Sequence, residues 1–283
     1  MRLPFALASR FVAGEDFDHA LPQVQEINRK GIKVTLDLLG ENVKDRESST
    51  ANTAAYIDLL DQIDNNTMEA SISVKLTMLG LDVSYDFCKG NLFKLLDTAR
   101  QHNNFVRVDM EGSDYTEDTM KLFKEAFKQY GNHVGIVIQA YLHRSRQDID
   151  ELAKMGADVR LCKGAYDEPE RLALQKMPDI RDAFKEYTAT LLQHTNKPRI
   201  ATHDDKLISW IKNHAEKNGI GKARFEIQML YGLREETMVD LTAEGYDTRI
   251  YVPFGTEWLP YFTRRLKERK ENIWFVLKNF LKR

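Results

Sequence analysis

The sequence predicts an α/β fold, a distorted barrel of eight strand–helix units of the TIM type. Three observations support this prediction: a length of 283 residues, short β-rich runs that recur along the chain, and helical periodicity between those runs. Barrels of this type typically have about 250 residues. Because no stretch rich in Pro, Gly or Ser divides the chain, we expect one domain rather than two.

Eight short runs rich in aliphatic and β-branched residues predict the strands. They are residues 33–39, 69–77, 105–110, 134–140, 158–165, 199–203, 225–230 and 249–255. Capping residues and apolar residues at helical spacing lie between the runs. Ser145 stands three residues before Asp148, and Asp204 precedes Leu207 on the apolar face of the next helix. Strands that alternate with helices in this way indicate a parallel barrel.

Two further segments complete the predicted single domain, 1–283. A helical lead-in covers about residues 1–30, and an amphipathic helix covers about residues 257–283, over the carboxyl-terminal mouth of the barrel. The last twelve residues, NIWFVLKNFLKR, carry Lys and Arg on the polar side of this helix. Such a face is suited to packing on the barrel, to a partner or to a membrane surface.

The composition argues against several classes of protein. Apolar residues make up 42% of the chain, yet no apolar run approaches the roughly 18 residues of a membrane-spanning helix. Lys and Arg total 41 against 43 Asp and Glu, so no general basic surface exists for a nucleic acid. The two cysteines, Cys88 and Cys162, lack metal-ligand spacing, which predicts no metal site and favours the reducing cytoplasm. No strand is followed by the G-x-G-x-x-G of a Rossmann fold.

Alternation along the strands predicts a polar barrel interior. If the aliphatic residues face the helices, the alternate residues point inward. The inward set contains Asp37, Lys75, Arg107, Asp109, Gln139, Arg160, His203, Glu226, Gln228 and Tyr251. Buried charges are costly unless they are paired or bind a ligand. Most of these residues lie late in their strands, where barrel active sites form, so we expect a polar or charged guest there.

The pattern leaves several roles open. Lys75 is suited to a Schiff base, to binding a carboxylate or phosphate, or to pairing with Asp37 or Asp109. Arg264 and Arg265 form either a solvated basic face or a forked clamp for an anion.

Two other motifs are equally open. His203 is suited to hydrogen bonding with a ligand or to a core role. Asp109 and Glu111 share a predicted strand face, but the spacing alone is weak evidence for a glycosidase.

Seven segments, in order along most of the chain, resemble the proline dehydrogenase family, in its monofunctional bacterial form. They are SVKL (73–76), RVDME (107–111), IQAY (138–141), RLCKGAY (160–166), ATHD (201–204), FEIQMLYG (225–232) and YVPFGTEWLPYFTRRLKER (251–269). The family is a distorted βα barrel that binds FAD without a Rossmann motif. It oxidises L-proline to Δ1-pyrroline-5-carboxylate, the first step of proline catabolism to glutamate.

The resemblance implies roles for the matching positions. Lys75, Arg264 and Arg265 would bind the proline carboxylate, while Tyr166, Tyr251 and Leu230 would line the ring. Asp109 and Arg160 match the family's two catalytic polar positions. Glu41 resembles a gate glutamate that pairs with Arg264 when substrate closes the site. For FAD the resemblance implies Met110, Gln139, Arg160, Lys163, Gly164, Ala165, Thr202 and His203.

The implied reaction is hydride transfer to flavin N5, with electrons passed on to a quinone and the product released to a separate pyrroline-5-carboxylate dehydrogenase. Transient contact of the cationic tail with the inner face of the membrane is a hypothesis. Cys162 stands where an aliphatic residue is common in the family, which leaves the implied chemistry intact. Two alternatives remain: a Schiff-base lyase or aldolase that uses Lys75 or Lys163, and a binding module without turnover.

Overall fold

The computed structural model describes residue 5 and residues 8–268, with side chains described through residue 265. Eight parallel strands close into a barrel in sequence order, and the last strand pairs with the first. The strands are β1 Lys33–Leu38, β2 Ala70–Val74, β3 Val106–Val108, β4 Val134–Gln139, β5 Asp158–Cys162, β6 Arg199–Ala201, β7 Glu226–Leu230 and β8 Asp247–Phe254. The predicted barrel is confirmed, although several strands end earlier than the sequence runs that predicted them.

Helices follow the strands and cover the outside of the barrel. They are α1 Phe17–Arg29, α2 Arg46–Asn65, α3 Tyr85–Gln101, α4 Thr116–Tyr130, α5 Ser145–Lys154, α6 Met177–His194, α7 Asp205–Lys217, α8 Glu235–Ala243 and α9 Trp258–Glu268. Short 3-10 turns occupy Ser113–Tyr115, Gly131–His133 and Lys222–Arg224. Helix α1 precedes the barrel, and α9 follows its last strand.

The main hydrophobic core lies between the strands and the helices. Val34, Leu36, Ile72 and Val74 are fully buried and belong to this core. Their strand neighbours point the other way, as the alternation predicts; Asp37, for example, lines a cavity inside the barrel. The aliphatic residues therefore hold the helices on the sheet and leave the interior to polar side chains.

The amino-terminal end of the barrel is filled by a network of charged side chains, which we call the floor. Arg107 pairs with Asp158, and Arg199 bridges Asp158 and Glu226 at 2.8 and 2.9 Å. Arg249 reaches Glu226 at 2.8 Å. Because every member has a partner of opposite charge, the desolvation cost of burying these groups is offset by ion pairing.

Helix α9 lies at the carboxyl-terminal end of the barrel, where it packs against the segment that precedes α1. Trp258, Tyr261 and Phe262 form a second apolar cluster with Phe11 and Val12. Arg264 and Arg265 of α9 line the cavity inside the barrel, so the described part of the predicted final helix lies over the mouth. The remainder of the predicted terminal helix, including NIWFVLKNFLKR, lies outside the described residues, as do residues 1–4 and 6–7 of the lead-in. Over residues 8–268, none of the helices has the length and apolar character needed to cross a membrane.

Candidate active site

A cavity of about 940 Å³ opens at the carboxyl-terminal end of the barrel, beneath α9. All the residues that the sequence analysis assigned to catalysis, substrate or cofactor line it. They are Lys75, Asp109, Met110, Gln139, Arg160, Lys163, Gly164, Ala165, Tyr166, Thr202, His203, Leu230, Tyr251, Arg264 and Arg265. A cavity of this size accommodates a large cofactor together with a small substrate.

Three cationic side chains converge in the cavity from two elements. Lys75 follows β2, and its Nζ lies 2.9 and 3.2 Å from the two carboxylate oxygens of Asp37. Arg265 on α9 is 8% exposed, and its guanidinium lies 5.2 Å from the centre of the Tyr261 ring. Adjacent Arg264 lies 5.9 Å above the ring of Tyr166. Together these side chains form a site suited to a carboxylate.

Arg264 also closes one side of the mouth. Its Nη1 and Nη2 lie 3.0 and 2.6 Å from the carboxylate oxygens of Glu41, which follows β1. The predicted pairing of these two side chains is thus present. Although burial opposes it, the Glu41 carboxylate raises the pKa of Arg264 above its usual value, so this arginine stays charged.

Asp109 is the centre of a hydrogen-bonded group deeper in the barrel. Its carboxylate accepts hydrogen bonds from Ser73 Oγ at 2.6 Å, Arg160 Nη1 at 3.0 Å and the Tyr251 hydroxyl at 2.8 Å. Burial, together with the Asp109 charge, raises the pKa of Tyr251 well above its usual value. Tyr251 is therefore a hydrogen-bond donor at neutral pH. Asp109 and Tyr251 in turn hold the Arg160 guanidinium, which lies 5.2 Å from the Tyr251 ring.

Gln139, at the end of β4, ties two neighbouring loops together beside this group. Its amide donates to the Glu111 carbonyl at 2.9 Å, and its carbonyl accepts from the backbone N–H of Ala165 at 3.2 Å. Gly164 has a positive φ of 127°, and a Cβ at this position would overlap the Tyr141 ring. Glycine is therefore required here for the backbone to run close along the cavity wall.

A second charged group lies at the outer part of the cavity. Asp204, the N-cap of α7, accepts from Lys163 Nζ at 3.1 Å and Arg181 Nε at 2.7 Å. Burial opposes ionisation, but the two cations and their hydrogen bonds lower the pKa of Asp204 to about 2. Lys206 and Arg234 line the same part of the cavity. Because Arg234 is itself paired with Asp205, four cations stand against two carboxylates here, and this surplus favours an anionic group such as a diphosphate.

His203 is held in one tautomer by the backbone. The N–H of Leu230 donates to His203 Nε2 at 2.9 Å. Because a backbone N–H can only donate, Nε2 carries no proton, and a neutral ring has its proton on Nδ1. A role of His203 as a hydrogen-bond donor within the cavity is consistent with this geometry. Over the described residues, no group of three or more His, Cys, Asp or Glu side chains is arranged to hold a metal ion.

The structure also adds residues that the sequence analysis did not assign to the site. Tyr141, Arg181, Asp204 and Tyr261 line the cavity, as does Asp37. Asp37 could have been found, because alternation placed it inside the barrel next to Lys75. Arg181 had no such signal, since its position depends on how α6 packs beside α7.

Asp109 and Glu111 do not share a strand face as expected, because neither residue belongs to a strand. Strand β3 ends at Val108, before either carboxylate. Glu111 is turned toward the backbone N–H and Oγ of Thr77, at 3.1 and 2.6 Å, instead of facing the cavity with Asp109. The two carboxylates therefore do not form a pair that could flank a glycosidic bond.

The sequence that forms this cavity matches a known protein family. A family model described as proline dehydrogenase matches residues 20–278. The chain belongs to the proline dehydrogenase family. It is 39% identical over 276 residues to proline dehydrogenase 2 of Bacillus subtilis strain 168, covering 98% of this chain and 91% of that protein. It is 36% identical over 283 residues to proline dehydrogenase of Deinococcus radiodurans, covering 98% and 90%.

A solved structure has the same fold. Proline utilization A of Bdellovibrio bacteriovorus, inactivated by N-propargylglycine, superposes with a TM-score of 0.86 at 25% identity. The match covers 93% of this chain and 32% of that much longer protein. Family membership explains why the ordered motifs and the polar barrel interior occur together in this chain.

Proposed function

We propose that the protein catalyses the FAD-dependent oxidation of L-proline to Δ1-pyrroline-5-carboxylate, with the electrons passed on to a quinone. The observation that carries the proposal is the convergence of Lys75, Arg264 and Arg265 on one cavity, next to the Asp109–Arg160 pair. Family membership and relatives named proline dehydrogenase support the substrate and the reaction.

The cationic group and the residues that line the ring bind different parts of proline. Lys75 and the two arginines bind the carboxylate through charged hydrogen bonds, each of which typically contributes about 1.5–3 kcal/mol. Tyr166, Tyr251 and Leu230 supply apolar surface for the ring. Orientation of the ring carbon next to nitrogen is the main catalytic contribution of these side chains, because the reacting atoms must be held in line.

The residues present fit FAD. Arg160 Nε is buried and has no hydrogen-bond partner among the described residues, so it is a donor available to a ring system in the cavity. Gly164 keeps the wall free of a side chain, and Lys163, Arg181, Lys206 and Arg234 supply positive charge for a diphosphate. Met110, Gln139, Ala165, Thr202 and His203 complete the set that would hold the cofactor. When bound, the flavin supplies the acceptor at N5 for the hydride removed from proline.

Arg160 contributes electrostatically to the same step. Its side chain is 6% exposed, and its guanidinium is fixed by Asp109 on one side. A charge held in place before the reaction stabilises negative charge that develops nearby without reorganisation. Asp109 acts by holding this guanidinium and by accepting from Tyr251.

The Schiff-base alternative is not supported by the environment of the two lysines. A Schiff-base lysine must lose its proton to become a nucleophile. Burial favours the neutral amine, but Asp37 and Asp109 raise the pKa of Lys75 well above its usual value. Lys163 is paired with Asp204. Both lysines are therefore suited to binding anions rather than to nucleophilic attack.

The proposal also includes the downstream enzyme, the cellular compartment and contact with a membrane. The product would pass to a separate pyrroline-5-carboxylate dehydrogenase, and the free thiols of Cys88 and Cys162 are consistent with the cytoplasm. Peripheral contact with a membrane through NIWFVLKNFLKR would bring the flavin to its quinone. Equal binding of full-length and tail-deleted protein to anionic vesicles would contradict that contact.

The test is the visible spectrum of the purified protein, recorded anaerobically before and after addition of L-proline. We expect a bound flavin band that bleaches with proline and recovers with a quinone. A yellow protein that proline does not bleach would leave cofactor and fold in place and exclude the substrate. A protein that stays colourless after incubation with FAD would contradict the proposed cofactor.

A further inference from the structure

Asp37 is the least exposed charged group of the cavity lining, and no role in the proposed reaction has been given to it. It lies on β1, near the end of the strand, with a side-chain exposure of 1%. Both of its carboxylate oxygens lie within hydrogen-bond distance of Lys75 Nζ, at 2.9 and 3.2 Å. A carboxylate beside a site for a carboxylate substrate disfavours binding by direct repulsion, so its presence there requires a compensating effect.

The compensating effect lies in the charge of Lys75. The lysine side chain is only 8% exposed, and desolvation on that scale favours a neutral amine. Asp37 faces it most closely, and Asp109 adds a second negative charge. The remaining titratable and charged groups around the pair are Tyr56 of α2, Glu111 after β3, Arg160 of β5, Tyr166 after β5 and Tyr251 of β8.

We propose that Asp37 is a positioning residue that keeps Lys75 cationic and directs its remaining donor at the substrate carboxylate. The inference rests on the proposed function, since it takes the substrate to be a carboxylate. Asp37 acts through Lys75 and does not itself contact the substrate. The Lys75 ammonium has three N–H donors, and Asp37 has two carboxylate oxygens within hydrogen-bond distance of it, so at least one donor remains for the guest.

The proposal predicts a pH dependence that a purely structural role does not. In Asp37→Asn the repulsive carboxylate is gone, so an anion binds at least as well at low pH, where Lys75 still carries its proton. Burial then dominates, the pKa of Lys75 falls, and the ammonium loses its proton as the pH rises. Affinity for the anion therefore declines toward high pH in the variant, while the wild-type protein keeps its charge over the same range.

The experiment is calorimetric titration of the flavin-loaded protein with cyclopentanecarboxylate between about pH 6.5 and pH 9.5. This probe has the ring and carboxylate of proline but no amine, so its own charge is constant over that range. We expect the dissociation constant of the wild-type protein to stay within about twofold. For Asp37→Asn we expect it to rise about tenfold or more between the two limits.

Lys75 variants provide the matched controls. In Lys75→Met, binding is weak at every pH, because the titrating cation has been removed. In the double variant Asp37→Asn with Lys75→Arg, the pH dependence disappears, because a guanidinium stays protonated throughout this range. If Asp37→Asn does not fold, Asp37→Ser, which leaves room for water, is measured in the same way.

The outcomes separate this inference from the proposed function. A loss of affinity in the Asp37 variant that is equal at all pH values would show a structural role and overturn the inference. If the dissociation constant still rises with pH in the double variant, another group is responsible for the titration, and the inference is also overturned. Failure of the wild-type protein to bind the probe or to be bleached by proline would overturn the proposed function itself.

Discussion

Arg264 and Glu41, which are 223 positions apart in the sequence, form a two-point ion pair across the mouth of the barrel. The arginine comes from the last described helix and the glutamate from the first loop after β1. Their nitrogen–oxygen distances are 3.0 and 2.6 Å, and the two side chains are 28% and 18% exposed. The pair therefore joins the loop after the first strand to the helix after the last strand, above the cavity.

Loss of this pair is expected to weaken substrate binding with little effect on folding. In Glu41→Gln we expect the KM for proline to rise several-fold and the unfolding free energy to change by less than about 1 kcal/mol, because partly exposed ion pairs contribute little stability. Steady-state kinetics and urea unfolding measure the two effects. Lys44→Gln, an exposed change on the same loop, is the control. An unchanged KM in Glu41→Gln would exclude a gating role.

Arg265 is expected to contribute more to binding than Arg264, since it is buried and lies beside Tyr261. For Arg265→Met we expect the protein to retain its flavin and the KM for proline to rise about 10- to 100-fold, as for the loss of a charged hydrogen bond. Flavin absorbance and initial rates measure these quantities. Thr263→Ala, on the exposed side of α9, should leave both unchanged. Normal proline kinetics in Arg265→Met would refute the clamp.

Arg160 is expected to affect the cofactor and the chemical step together. In Arg160→Ala we expect a lower ratio of flavin to protein and slower reduction by proline in a stopped-flow measurement, because a fixed positive charge is lost beside the ring system. Ser73→Ala removes a hydrogen bond to Asp109 at 2.6 Å and one from Arg160 Nη1 at 3.3 Å but keeps the guanidinium, so this control separates the loss of charge from the loss of these hydrogen bonds. Full flavin content and a normal reduction rate in Arg160→Ala would remove its assigned role.

Glu168 is expected to position Tyr166 through the loop that carries both residues. Its carboxylate accepts from the backbone N–H and Oγ of Ser113 at 2.7 and 2.6 Å, which ties the loop to the connection after β3. For Glu168→Ala we expect a several-fold higher KM for proline with normal flavin content, whereas Glu168→Gln retains an acceptor and recovers most of the affinity. Asp167→Ala, at the exposed neighbour, is the control. Equal KM values in all three variants would contradict the prediction.

The ionised carboxylate of Asp204 is expected to stabilise the folded protein at neutral pH and to stop doing so in acid. Its pKa is about 2 in the folded protein, against an ordinary value of 3.8, so its contribution is present above about pH 4 and is lost as the pH falls toward 2. We expect Asp204→Asn to lower the unfolding free energy by about 2 kcal/mol at neutral pH. Urea unfolding at neutral pH and near pH 3 measures the difference, which should shrink on acidification. A difference that is constant with pH would exclude the ionised form as its source.

Much of the barrel could be predicted because its signal is local. Val34 and Leu36 pack outward on β1, and the alternation that identifies them also places Asp37 inside. The N-cap role of Asp204 was equally readable, since capping depends on a residue type at a helix start. The predicted cap at Ser145 is wrong: its Oγ donates to the Gln139 carbonyl at 2.6 Å, and the helix start has no side-chain cap. The Ser145 hydroxyl bonds to the Gln139 carbonyl instead of to the first N–H groups of the helix, and no local sequence pattern indicates this choice.

The less predictable part of the site depends on loops and helix packing. Alternation ends where a strand ends, which is why Glu111 was misplaced after β3 and why Glu168 carried no signal. Arg181 reaches Asp204 only because α6 packs beside α7. Such contacts join residues far apart in the sequence, and periodicity within one element contains no information about them.

The charged floor of the barrel has a consequence for the movement of protons. The pKa values of Asp158 and Glu226 are lowered by their arginine partners despite burial, and Arg107, although burial lowers its pKa to about 10, stays protonated at neutrality. Each of these groups thus keeps one protonation state near pH 7, and none is suited to relay a proton. These floor residues thus offer no titrating group near pH 7, which favours the mouth of the cavity as the route for a proton released by a guest.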